Sequence, residues 1–197
     1  MKISKDNAAQ SAKNYIEETK NILDSLNIDE IVSFIELLGD VYGKKKQLFI
    51  AGNGGSASTA SHTASDLNKT TLGKSGDSIE KRFKAISLCN DIALMTAWAN
   101  DDSFDQIYAQ QLINFADPGD ALLIITGSGN SPNLIKVVET AKQIGMTTFG
   151  FIGFDGGKIK PMLDGHIFVK DNTYGHVEDM HVILDHLVTV FFKDIIK

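Results

Sequence analysis

The spacing of apolar positions changes several times along the chain. From about Asn7 to Val41 they recur at helical intervals (Tyr15, Ile22, Leu23, Leu26, then Ile31, Phe34, Ile35, Leu38), with Asn27 and Asp29 as break and cap, which predicts two leading helices. After Gly43 and three lysines comes Leu48-Phe49-Ile50-Ala51, a short apolar run ending in glycines, as a parallel strand buried on both faces requires. Ala85 to Leu88, Ala121 to Ile125, Thr147 to Ile152 and His166 to Val169 repeat this form, with helical stretches between most of them. Such alternation predicts an α/β fold with a parallel sheet. Tyr174 to Ile196 carries apolar residues at Val177, Met180, Val182, Ile183, Leu187, Val190 and Phe191, which suits a helix covered on most of its circumference. Lys69 to Lys81 (KTTLGKSGDSIEK) lacks this periodicity and reads as an exposed loop.

Composition narrows the possibilities. At 197 residues and 43% hydrophobic content, the chain is expected to form one domain around one substantial core. Its net charge of -6, from 25 acidic and 19 basic residues, leaves no basic stripe beyond Lys44-Lys45-Lys46, so nucleic acid is not an expected partner. The opening MKISKDNAAQSAKNY has no apolar signal core, and no apolar run reaches the roughly 20 residues that span a bilayer; a cytoplasmic location away from the membrane is expected. Cys89 stands alone and is expected to be a buried, inert thiol.

Two loops have the chemistry to hold an anion. Gly52-Asn53-Gly54-Gly55-Ser56-Ala57-Ser58 follows a strand and opens a helix, whose first N–H groups are unpaired and carry partial positive charge. Thr126-Gly127-Ser128-Gly129-Asn130-Ser131-Pro132 follows another strand, with Ser131 placed to cap and Pro132 at the first helical position. Both loops belong at the carboxyl edge of an open parallel sheet, where ligands bind near the reversal of strand order. No Walker lysine follows either loop, so the hydroxyls at Ser56, Thr126, Ser128 and Ser131 point to a phosphate on a small molecule rather than to a nucleotide cofactor.

Acids and bases cluster on two helices. His62 and Asp66 are four residues apart and share a face, while Glu178 and His186 are eight apart, about 80° round the final helix. Such a set serves proton transfer, and equally well binds a divalent ion such as zinc through two imidazoles and two carboxylates. His181 and Asp185 form another four-residue pair; a solvated face is the expectation, with His181 a second-rank candidate. His166 and His176 have weaker cases.

GNGGSASTASHTASDL (Gly52 to Leu67), NDDSF (Asn100 to Phe104), TGSGNSPN (Thr126 to Asn133), GFDGGK (Gly153 to Lys158) and VEDMHVILDHL (Val177 to Leu187) resemble, in order and spacing, the SIS-domain phosphoheptose isomerases. The resemblance implies a flavodoxin-like three-layer α/β/α sandwich with a five-stranded parallel sheet, N-terminal helices (residues 1–43) used in assembly, and a homotetramer with active sites at subunit contacts. It implies aldose–ketose isomerisation of sedoheptulose 7-phosphate through an enediol, supplying heptose for surface polysaccharide. It also implies phosphate binding at Ser56, Thr126, Ser128 and Ser131, further substrate contacts at Asn53, Gly54, Gly55, Asp101 and Glu178, catalysis by Asp66 and His186, and one zinc per subunit on His62, Asp66, Glu178 and His186. Four positions depart from the family pattern: Asp66 replaces a glutamate, Glu178 a glutamine, Thr70 an arginine and Gly175 an aspartate. These changes bear on substrate contacts, so another phosphosugar isomerase is the main rival. A non-catalytic SIS protein that binds a replication initiator or other partner, and a sugar-phosphate-sensing regulatory module, are the others.

Overall fold

The computed structural model describes residues 3–72 and 81–196. Most of the segment read as an exposed loop, Lys69 to Lys81, lies outside the described residues; its start is not loop but the end of a helix followed by a short 3-10 turn, Thr70–Leu72, with Thr71 buried.

Two helices lead, α1 (Lys5–Ser25) and α2 (Ile28–Gly43), separated where Asn27 caps α2 by accepting from the Asp29 N–H. Five parallel strands follow, β1 (Leu48–Gly52), β2 (Ala85–Ser87), β3 (Ala121–Thr126), β4 (Thr147–Ile152) and β5 (Gly165–Phe168). The intervening helices are α3 (Gly55–Lys69), α4 (Ile92–Asp101), α5 (Gln106–Phe115) and α6 (Pro132–Ile144), and α7 (Tyr174–Ile195) closes the fold. The sheet order is β2-β1-β3-β4-β5. The chain thus leaves β1 in one direction to form β2 and returns to lay β3 on its other side, which puts the reversal of strand order between β1 and β3.

Why the strands read as unbroken apolar runs is now plain. Leu48 and Ile50 of β1, with Leu123 and Ile125 of β3, pack on the layer holding α2, α3 and α7; Phe49 and Ala51, with Leu122 and Ile124, pack on the layer of α5 and α6. Alternate residues enter different cores, so every position is apolar. Helix α1 differs from the rest, since Ile22 is its one buried residue. It is tied to α7 by the Tyr15 hydroxyl, which donates to Asp179 at 2.6 Å and is itself pushed up to about 12 by that bond. Among the described residues, no helix is long and apolar enough to cross a membrane.

Candidate active site

Both predicted anion loops lie at the carboxyl ends of β1 and β3, on either side of the strand-order reversal. In the first, Gly54 takes a backbone conformation (φ 56°, ψ -123°) open to glycine and starts α3. In the second, Gly129 also has positive φ (62°), and the Thr126 hydroxyl accepts from its N–H at 3.2 Å. Beneath it the GFDGGK turn acts as a strut: Ile159 N–H donates to the Gly129 carbonyl at 3.0 Å, and Lys158 N–H to the Asn130 side chain at 3.1 Å. Ser131 is the residue before α6, as expected, with Pro132 at the first helical position, although its side chain makes no capping bond and its hydroxyl is left for other use.

The two loops are joined by a reciprocal amide pair. Asn53 Nδ2 donates to Asn133 Oδ1, and Asn133 Nδ2 to Asn53 Oδ1, both at 2.9 Å. Tyr108, buried in α5, donates its hydroxyl to the Gly52 carbonyl. Asn53, Ser56, Thr126, Ser128, Ser131 and Glu178 line one cavity of about 120 Å³, together with Ile125, Gly127 and Tyr174. That is about four water volumes at ~30 Å³ each, a space for a phosphate group rather than a whole sugar phosphate. A larger cavity of about 500 Å³ lies at the far edge of the sheet beside β5 and contains none of these hydroxyls. Asp101, expected to touch substrate, ends α4 on the surface, bonded to the Asn100 amide, and does not line the cavity.

Helices α3 and α7 lie side by side and in the same sense, touching at two levels. At the first, the Glu178 carboxylate lies over Gly55, 2.6 and 2.8 Å from where a Cβ would stand, so a side chain there would displace it. At the second, His62 Nε2 meets His186 Nε2 at 3.3 Å and Asp66 at 3.5 Å. Here the structure regroups the expected ligands. His62, Asp66, His186 and Asp185 bring one donor atom each within 4.8 Å of one another, whereas Glu178 stands at the phosphate cavity and is not in this group. Tetrahedral ligands about 2.0–2.1 Å from a metal are about 3.3 Å apart, so the His62–His186 and His62–Asp66 separations fit a divalent ion.

Asp185 and His181 also correct the expectation of a solvated face: both are 0% exposed. They form a buried polar line with Thr189 on α7 and Thr63 on α3, all with side-chain atoms lacking hydrogen-bond partners. Burial raises the Asp185 carboxyl to about 6; the Asp66 charge adds to this, while His62 and His186 oppose it. Thr63 offsets it slightly, although neither its hydroxyl nor the carboxylate reaches hydrogen-bond geometry. His181, beside Phe151, is lowered by burial to about 3. The unfolded chain takes up that proton near pH 6.5 and the folded chain does not, so His181 withdraws stability as pH falls from about 6.5 towards 3. Thermal unfolding across this range is expected to show a decline with a His181 share of at most about 1.4 kcal/mol per pH unit, flattened in His181→Leu; equal slopes would contradict it. The weaker histidine candidates lie elsewhere: His176 is buried against Tyr15 with Asp171 at 3.4 Å, and His166 sits 3.9 Å from Glu30. Cys89 is half-buried, its thiol 3.5 Å from the Gly52 carbonyl and the Tyr108 hydroxyl.

Asn133, Tyr108 and Tyr174 are site residues that the sequence does not single out, and Asp185 reads there only as the solvated partner of His181; Asn133 carries a signal as the last residue of the TGSGNSPN motif.

Comparison with known proteins agrees with this architecture. Residues 14–153 match the SIS domain family. The probable phosphoheptose isomerase of Thermoplasma acidophilum is 32% identical over 183 residues, covering 93% of this chain and 98% of that protein. The phosphoheptose isomerase of Helicobacter pylori strain P12 is 35% identical over 173 residues, covering 87% and 86%. The solved structure of phosphoheptose isomerase GmhA from Neisseria gonorrhoeae superposes with a TM-score of 0.84 at 27% identity, over 95% of this chain and 98% of that one. With a five-stranded parallel sheet, two hydroxyl-lined loops at its reversal point and relatives matched nearly end to end, the chain belongs to the SIS domain family, among the phosphoheptose isomerases.

Proposed function

We propose that this protein is a cytoplasmic aldose–ketose isomerase that converts sedoheptulose 7-phosphate to a heptose 7-phosphate for surface polysaccharide. The observation that carries this reading is the distance along the paired helices between the anion loop and the acid–base group. From Ser56 to His62 is six residues of α3, about 9 Å of rise, and from Glu178 to His186 eight residues of α7, about 12 Å. An extended seven-carbon sugar with its phosphate spans about 10 Å, taking ~1.25 Å of advance per ~1.5 Å bond. A phosphate held at Ser56, Thr126, Ser128 and Ser131 therefore presents the first two carbons to Asp66 and His186.

There the residues' tasks are proton transfers. Either Asp66 or His186 removes the proton from the hydroxyl-bearing carbon next to the carbonyl, giving the enediol, and the partner moves protons between the two oxygens before the carbon proton is returned to the neighbouring carbon. Binding energy at the phosphate, remote from the reaction, holds the chain in register. The His/Asp group suits zinc, which when bound supplies stabilisation of negative charge on the enediolate oxygen. The chain acts as one SIS domain, with α1 and α2 serving assembly into a homotetramer, an arrangement that gives Asp101 a route to substrate across a subunit contact.

The test is direct. The full chain incubated with sedoheptulose 7-phosphate is expected to form the aldose, and Ser128→Ala to raise KM by about tenfold, one hydrogen bond to a charged group being worth ~1.5 kcal/mol, with little change in kcat. A chain with no activity on this sugar but turnover of another phosphosugar would favour the rival isomerase.

A further inference from the structure

The first two turns of α7 are held by α1, a helix that supplies no residue to the reaction outlined above. Tyr174 and Glu178, four residues apart on one face of α7, line the phosphate cavity, and a Cβ on Gly127 of the second anion loop would stand 3.0 Å from the Tyr174 ring. This end of α7 has no cap of its own, since the Thr173 side chain makes no capping bond. The neighbouring face, carrying Gly175 and Asp179, turns to α1. There the Tyr15 hydroxyl donates to Asp179 at 2.6 Å, a short bond to a charged acceptor and so one of the stronger kind. The Tyr15 ring lies 4.3 Å, centroid to centroid, from buried His176, whose ring nitrogens stand 3.4 Å from Asp171 and 3.6 Å from Glu18 of α1. The same hydroxyl sits 2.9 Å from where a Cβ on Gly175 would be, so the lack of a side chain at 175 is what admits it.

We propose that Tyr15 is a positioning residue of the phosphate site: through Gly175 and Asp179 it fixes the rotation of α7, and with it the seat of Tyr174 and Glu178 against the anion loops. The placement of the contacts carries this. Gly175 and Asp179 each follow a cavity residue by one position, about 100° round the helix, so a hold on one pair sets the direction of the other. Core packing does not provide that hold from the α1 side. Ile22, the one buried residue of α1, is seven residues from Tyr15, about 10 Å along the helix, which leaves polar contacts to bind the two helices at this level. Tyr15 is itself 39% exposed, so removing its hydroxyl opens no cavity and acts on orientation rather than on the core. The inference deepens the isomerase reading and rests on it only in taking a sugar phosphate as the ligand of this cavity.

The experiment compares Tyr15→Phe, Gly175→Ala and the two together in the full chain. Each is measured for binding of inorganic phosphate by calorimetry, turnover of sedoheptulose 7-phosphate, hydrogen exchange of the peptide from Tyr174 to Met180, and thermal unfolding. Tyr15→Phe is expected to weaken phosphate binding and raise KM by about three- to tenfold, the range that loss of one hydrogen bond to a charged group allows at a partly exposed site. Its kcat should move less, and the α7 peptide should exchange faster. Gly175→Ala is expected to do the same, because its methyl group displaces the hydroxyl. Once that hydroxyl is gone the methyl meets the ring no nearer than 3.7 Å, an ordinary contact, so the double variant is expected to match Tyr15→Phe rather than to add to it. A merely structural tyrosine would lower Tm with phosphate affinity and KM unchanged, and that result, or single effects that simply add in the double variant, would overturn the assignment. A wild type that binds neither phosphate nor the sugar phosphate would overturn it together with the isomerase reading. Phosphate binding that follows the expected pattern with no turnover of sedoheptulose 7-phosphate would sink the isomerase reading and leave the positioning role standing.

Discussion

His186→Ala is expected to lower kcat by about 10²- to 10⁴-fold, the usual contribution of a positioned acid or base. Asp66→Asn should fall in the same range. The two changes together should cost little more than either alone, because groups that pass the same protons act as a unit. The histidine ring is exposed on α7 and supports no core contact, so the melting temperature of metal-free His186→Ala should stay near that of wild type. Steady-state turnover of sedoheptulose 7-phosphate with a parallel thermal melt checks both halves. Near-normal kcat in either single variant would remove that residue from the proton relay, and a fall in activity matched by a fall in metal-free Tm would mean that the side chain holds the fold instead.

Gly129→Ala is expected to be the most damaging single methyl group in the second anion loop. A Cβ there would stand 2.1 Å from the Gly156 carbonyl oxygen, and the residue keeps φ at +62°. The left-handed conformation costs an alanine roughly 1–2 kcal/mol, and pushing back a backbone carbonyl adds about 1–3 kcal/mol of overpacking. That carbonyl cannot retreat easily, because the same turn donates Ile159 N–H to Gly129 and Lys158 N–H to Asn130. A loss of about 2–5 kcal/mol in denaturant unfolding is expected, with KM raised in whatever protein folds. A stability within experimental error of wild type would show that the turn beneath the loop is softer than its hydrogen bonds imply.

Much of this fold is legible in the residues themselves. The runs at Leu48 and Ala121 are apolar at nearly every position, as a sheet covered on both faces demands, and glycine with hydroxyl residues after both marks the ligand edge. Burial on α7 was not legible in the same way. A helical wheel gives the angle between residues but not which arc the rest of the protein covers, so His181 and Asp185 read as a wet face until α3 and the sheet were laid against them. Glu178 shows a second limit of spacing rules: a wheel gives its angle to His186, while the rise of eight residues, about 12 Å, and its seat over Gly55 appear only in three dimensions. Asn133 and Tyr108 act on residues 80 and 56 positions away in the chain, a separation that spacing rules do not span.

The amide pair between Asn53 and Asn133 has a thermodynamic consequence for the sugar that arrives. Each side chain satisfies the other's donor and acceptor, so the two glycine-rich turns are clasped together before any anion is present. Their ordering entropy is spent during folding, and a ligand does not have to supply it again. A phosphate bound as proposed would meet a socket already set, its recognition governed by charge and fit.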